Sequence, residues 1–117
     1  MLVSSKTVEK MIEWLDENLT NSPTLPKMAS YVGYSEYYCS LKFHEFTGVT
    51  FKEYLAKRRL SAGAEALKTT DSRIIDIALD CGFSSSEAFS RAFGKAYGCS
   101  PKNYRAKIYR DENDTEI

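Results

Sequence analysis

The 117-residue chain has little of what would mark an enzyme, a metalloprotein or a membrane protein. It holds one histidine, His44, with no serine, cysteine or carboxylate arrangement around it, which leaves catalysis without a candidate and points to a non-enzyme. The three cysteines, Cys39, Cys81 and Cys99, are odd in number and lack metal-ligand spacing, so neither a disulfide framework nor a cofactor or metal site is expected. Cys39 and Cys81 fall at positions that suit small buried hydrophobes, while Cys99 follows a helix stop. No run approaches 18 apolar residues and no charged-then-apolar leader opens the chain, which points to a cytoplasmic protein. Net charge is also absent: 16 Lys and Arg balance 16 Asp and Glu, at first sight an argument against nucleic acid.

What the chain does have is one paragraph written twice. Met28-Ala29-Ser30-Tyr31-Val32-Gly33-Tyr34-Ser35 returns as Ile77-Ala78-Leu79-Asp80-Cys81-Gly82-Phe83-Ser84, 49 residues on. After one inserted residue the match resumes at a shift of 50: Phe43 with Phe93, Gly48 with Gly98, Thr50 with Ser100, Tyr54 with Tyr104, and Lys57 with Lys107. Each copy reads as short helix, glycine turn, second helix and glycine stop, the outline of a helix-turn-helix.

The periodicity predicts an all-α fold of about seven helices, as two helix-turn-helix subdomains joined by a long linker helix. Val8, Met11, Ile12, Leu15 and Leu19 mark an amphipathic helix over about residues 5–20, ended by Asn21-Ser22-Pro23. Thr24 caps a helix to Val32, Gly33 makes the turn, and Ser35 caps a helix that buries Tyr38, Cys39, Phe43 and Phe46. Thr50-Phe51-Lys52-Glu53 is a capping box that opens the linker, to about Lys68. Gly63 inside it costs about 1 kcal/mol relative to alanine, which suggests close packing of another helix. Ser72 is expected to start the second subdomain, with Ile74, Ile77, Ala78, Phe83, Phe89 and Phe93 as its core. Ser100-Pro101 opens a last helix to about Tyr109. The expected boundaries are 1–49, 50–68 and 69–110, followed by a frayed acidic tail at 111–117.

The distribution of charge reverses the first impression. Between Ala88 and Arg110 stand Arg91, Lys95, Lys102, Arg105, Lys107 and Arg110 without one acid. The balancing carboxylates lie early (Glu9, Glu13, Asp16, Glu17) and in the tail. On a helix-turn-helix unit such a run suits phosphates. Early residues of the second helix of each unit meet base edges. With Phe89 and Phe93 turned inward, the outward set is Ser86, Glu87, Ser90 and Arg91, and a shift of 50 maps it onto Glu36, Tyr37, Ser40 and Leu41. Arg91 suits guanine O6 and N7, Glu87 suits cytosine N4, and Tyr37 and Leu41 suit thymine methyls. Glu36 is repelled by phosphates unless it too meets cytosine. Expected phosphate anchors are Lys42, Lys52, Arg58, Lys95, Lys102 and Arg105, with helix N-termini at Thr50 and Ser100. Arg59 suits either DNA or an acid that braces the helices. His44, beside Lys42 and Glu45, is read as a surface residue.

These residues resemble the AraC/XylS family of bacterial transcription regulators. The pattern is carried by Arg59-Leu60, Leu67, Thr70-Asp71, Ile74, Ile77-Ala78, Gly82-Phe83, Phe89, Arg91, Phe93, Lys95, Gly98, Ser100-Pro101 and Tyr104-Arg105, within a likeness over about residues 5–109. The resemblance implies two helix-turn-helix subdomains that bind double-stranded DNA through two adjacent major-groove segments. It departs at Leu41, where the family often has arginine, and at Gly63 and Ala66, which replace bulkier residues. Many members carry an N-terminal sensor or dimerisation domain. This chain has no room for one, and it reads as a stand-alone regulator or an excised C-terminal domain. A linker of about 18 residues spans roughly 27 Å against about 34 Å between successive major-groove faces, so DNA bending is expected. The acidic first helix suits RNA polymerase as a partner of an activator. The alternative is a helical protein-interaction module with little DNA affinity.

Overall fold

The computed structural model describes residues 5–114, and they form seven helices and no strand. In order these are α1 (Ser5–Glu17), α2 (Leu25–Val32), α3 (Glu36–Thr47), α4 (Phe51–Thr69), α5 (Ile74–Asp80), α6 (Ser86–Tyr97) and α7 (Pro101–Asp114). The chain divides within α4 into two compact units, Met1–Arg58 and Arg59–Ile117. None of the described helices is long and apolar enough to cross a membrane.

In the first unit the stripe of α1 goes inward as its spacing predicts, with Val8, Met11 and Leu15 buried and Ile12 and Leu19 packed beside them. The helix stops at Glu17 because Asn18 turns its amide onto the Trp14 carbonyl (2.8 Å). Thr24 caps α2 by accepting the Lys27 N–H, and Pro26 sits in the first turn, where its missing donor costs nothing. Met28 and Ala29 of α2, Cys39 and Phe43 of α3 and Leu55 of α4 close the core. Phe43 is fully buried between the rings of Phe51 and Tyr54, and its truncation to alanine would cost about 3–5 kcal/mol. Phe46, expected inside, is 50% exposed. Its rotation is right, but it lies in the last turn of α3 and is not among the residues packed on the core.

The second unit repeats this plan. Its core is Leu60, Ala64 and Leu67 of α4, Ile77 and Ala78 of α5, Cys81, and Phe89 and Phe93 of α6. Ile74 and Phe83 are half-buried against it. Helix α4 therefore gives a wall to each core, and the linker is not a bare spacer. Gly63 has the packing that its position suggests: a Cβ there would lie 2.6 Å from the Phe89 ring.

Two boundaries differ from expectation. Helix α5 starts at Ile74 after Arg73, with no side-chain cap. Ser72 lies one residue before the cap position; its N–H donates to Thr70 Oγ1 and its carbonyl accepts from Arg105. Helix α7 runs to Asp114 rather than stopping near Tyr109, so part of the expected frayed tail is helical, and residues 115–117 lie outside the described residues.

Candidate nucleic-acid interface

The turn that aims each second helix is built twice around a left-handed glycine and one shared bond, while the glycine N–H itself donates to Ala29 in the first unit and to Leu79 in the second. In the first unit Gly33 adopts φ 84°, and the Gly33 and Tyr34 N–H groups both donate to the Ala29 carbonyl. In the second, Gly82 adopts φ 97° and the Phe83 N–H donates to Ala78, the counterpart of Ala29. Left-handed backbone favours glycine, which explains both turn residues. The inserted residue falls in this turn. Ser35 caps α3 by accepting the Tyr38 N–H at 3.1 Å, and Ser85, not Ser84, caps α6 by accepting the Ala88 N–H at 3.0 Å.

With Cys39 and Phe43 buried on α3, the opposite face carries Glu36, Tyr37, Ser40 and Leu41, all exposed. Tyr37 is 78% exposed, more than any other large apolar side chain among the described residues. With Phe89 and Phe93 buried on α6, Glu87 and Arg91 are exposed, and Ser86 and Ser90 are half-exposed. The Ser86 hydroxyl donates to Glu87 at 3.4 Å. Arg91 has no ion pair among the described residues, which leaves its guanidinium available.

The expected phosphate anchors divide into free and occupied groups. Lys52, Lys95 and Lys102 are exposed without an ion pair among the described residues. Lys42 pairs with Glu45 at 3.2 Å and lies 5.7 Å over the Tyr38 ring. Arg58 binds Asp16 at 2.9 Å, a bond that holds its guanidinium more firmly charged, and so braces α4 against α1. Arg105 is the clearest departure. Its Nε donates to the Leu67 carbonyl (3.2 Å), Nη1 to Ser72 (2.9 Å) and Nη2 to Thr70 (3.0 Å). It caps the C-terminal end of α4 and pins the segment that leads into α5. The sequence reading missed this, although Pro101, Arg105 and Ile108 stand at i, i+4 and i+7 on the inner side of α7.

Two further expectations change. The α4 N-terminus is closed by its own capping box, with the Thr50 N–H on Glu53 Oε1 at 2.9 Å and the Glu53 N–H on Thr50 Oγ1 at 3.1 Å. These bonds lower the Glu53 carboxyl below its usual range, so a carboxylate already occupies the place expected for an external anion. At α7 the Ser100 hydroxyl takes the Asn103 N–H. Arg59 pairs with no acid among the described residues; it lies against Gly82, where a Cβ would stand 2.7 Å from its Nε. That Nε is buried without a partner. Burial pushes the Cys39 and Cys81 thiols up, as inert core thiols should be.

A helix-turn-helix domain family matches residues 28–107, most of the chain and all of both turns. The chain belongs to the AraC/XylS family of transcription regulators. Among AraC/XylS relatives, the regulatory protein SoxS of Salmonella typhimurium is 36% identical over 101 residues, covering 86% of this chain and 94% of SoxS. The putative transcriptional regulator YkgA of Escherichia coli is 36% identical over 110 residues, and there the chain spans only 46% of the relative's length. Two solved structures share the fold. An AraC-type regulator from Chromobacterium violaceum gives a TM-score of 0.85 at 25% identity, covering 89% of this chain and 93% of that one. The DNA-binding domain of AdpA, in complex with a target DNA, gives 0.83 at 26% identity, covering 91% and 95%.

Proposed function

We propose that α3 and α6 are the reading helices, each laid in the major groove of one double-stranded DNA. The supporting observation is the shared turn: the same glycine geometry and hydroxyl cap, in both units, turn one helix face to solvent while the opposite face fills the core. Glu36, Tyr37, Ser40 and Leu41 read one half-site; Ser86, Glu87, Ser90 and Arg91 read the other. Lys42, Lys52, Lys95 and Lys102 contact phosphates. Lys42 is kept because its partner Glu45 lies three residues on along the same helix, whereas Arg58 and Arg105 are set aside because carboxylate and carbonyl groups of distant segments hold them. AdpA, of the same fold, has been captured on its target DNA, which supports this reading.

Binding sites selected from random duplexes test it. Arg91→Ala should cost about 1–3 kcal/mol and blur one base pair. An equal loss on every sequence would demote Arg91 to a phosphate anchor, and failure to bind any duplex at low salt would favour a protein-interaction module instead.

A module of this size can act alone, as its coverage of SoxS suggests, or within a longer regulator, as its share of YkgA suggests. We read RNA polymerase as a protein partner of the first unit. The outer face of α1 carries Glu9, Glu13, Asp16 and Glu17, and Trp14 stacks on the exposed Tyr31 at 6.2 Å beside it. Substituting this face should abolish activation while DNA binding persists.

A further inference from the structure

The second unit holds a groove that shares only Lys102, at its rim, with the proposed DNA contacts. It lies between α7, the end of α4 and the segment after α4, with a volume of about 690 Å³ open to solvent. That is within the usual 300–1,000 Å³ of small-molecule sites. None of the eight base-reading candidates lines it.

Its chemistry is two-sided. Leu67, Ile108 and Tyr109 give an apolar wall, and the Tyr109 ring is 67% exposed with no ring partner among the described residues. Lys68, Lys102, Arg105 and Arg110 give positive charge against one carboxylate, Asp71, among the lining residues up to Arg110. Lys102 and Arg110 pair with no acid among residues 6–110, and Lys68 reaches Glu65 only at 3.7 Å. Arg105 adds a fixed charge. Three of its five N–H groups hold carbonyls, so the guanidinium stays in place whether or not a ligand is present. A preformed cation beside an apolar wall favours an anion that carries an apolar body, since little ordering is needed on binding.

We propose that this groove is a binding site for a small amphipathic carboxylate, its ring or chain against Leu67, Ile108 and Tyr109 and its anionic end among Lys68, Arg105 and Arg110. The site does not depend on how α3 and α6 read DNA.

The test is an amide NMR titration of the full chain with 4-phenylbutyrate, and with 4-phenylbutanol as the neutral counterpart. Saturable shifts should gather on residues 67–71 and 102–110, with a dissociation constant of about 1–5 mM, as ligand efficiency allows for twelve heavy atoms. The alcohol, and the double variant Lys68→Gln/Arg110→Gln against phenylbutyrate (with Arg105 still in place), should each bind at least about tenfold more weakly, the least effect expected when charged contacts are lost. An unchanged spectrum outside the groove shows that the variant is folded. Shifts scattered over the surface, equal binding of the alcohol, or full affinity in the variant would each overturn the proposal. So would loss of the probe shifts when an unrelated duplex is added, since the groove would then be part of the DNA surface.

Discussion

Two glycines inside helices should respond to alanine with opposite signs. At Gly94 of α6 an added Cβ meets only the Cys99 carbonyl oxygen, at 4.0 Å, which is ordinary contact. The change removes backbone freedom from the unfolded chain and should stabilise by about 1 kcal/mol. The same gain applies at Gly63 of α4, but there the Cβ would stand 2.6 and 2.8 Å from two carbons of the Phe89 ring. Contacts under 3.0 Å are essentially unknown for real Cβ atoms. The ring has nowhere to go: Phe89 is fully buried, with Phe83 at 5.2 Å on one side and Phe93 at 5.5 Å on another. Phe93 is in turn stacked on Tyr97 at 4.3 Å. Overpacking of this kind costs about 1–3 kcal/mol, so Gly63→Ala should end about 1 kcal/mol below the parent. The two variants should therefore differ by about 2 kcal/mol in urea unfolding, or roughly 10 °C in melting temperature. Amide exchange should place the loss from Gly63→Ala in the second unit. If Gly63→Ala stabilises as much as Gly94→Ala, the packing argument for this glycine is wrong.

Other outcomes follow from the same contacts. Arg105→Lys leaves one donor group for three carbonyls and should cost about 1.5–3 kcal/mol in denaturation, while the salt dependence of DNA binding stays unchanged; a shallower slope would return Arg105 to the phosphate track. The Glu53 carboxyl is lowered in the folded chain by the Thr50 N–H, so its stabilisation is present above the ordinary carboxylate range and is lost as pH falls through the lowered value. Glu53→Gln should flatten that part of the acid limb in a pH series of melting curves, and an unaltered limb would exclude the capping box as its source. Lys95→Gln should weaken all duplexes alike and reduce the slope of log affinity against log salt by about 1, from a total near −4 for four lysine–phosphate contacts; a loss confined to certain sequences would make Lys95 a base reader.

Features set by neighbours in sequence were legible. The capping box, the serine caps of α3 and α7 and the turn glycines all lie within four residues of what they bond, whereas the α6 cap, Ser85, was hidden by the one-residue insertion. So were the core stripes, because Cys39 and Phe43, or Phe89 and Phe93, fix a face by rotation alone. Features set by distant residues were not. Arg105 bonds carbonyls 33 to 38 positions away, and in a run of basic residues its charge is more conspicuous than its inward register. Arg58 finds Asp16 across 42 positions. Cations placed on inner or lateral faces are braces, and the sequence shows their charge before it shows their partners.

This sorting also bears on how the two units divide their work. The turns share their left-handed glycine, the bond from the next N–H to an alanine carbonyl and a serine cap, yet the exposed faces that they present differ. The face of α3 offers two large side chains of apolar character, one hydroxyl and one acid; that of α6 offers a guanidinium, two hydroxyls and one acid. Apolar contact with thymine methyls discriminates by shape and carries no salt dependence, whereas a guanidinium on guanine gains from both hydrogen bonding and charge. Of the free cations, Lys95 and Lys102 lie in the second unit and Lys52 in the first, while Lys42 is shared with Glu45. Affinity and its dependence on salt should therefore reside mainly in the second unit. On the proposed reading, the first unit should add discrimination once the second has engaged the duplex.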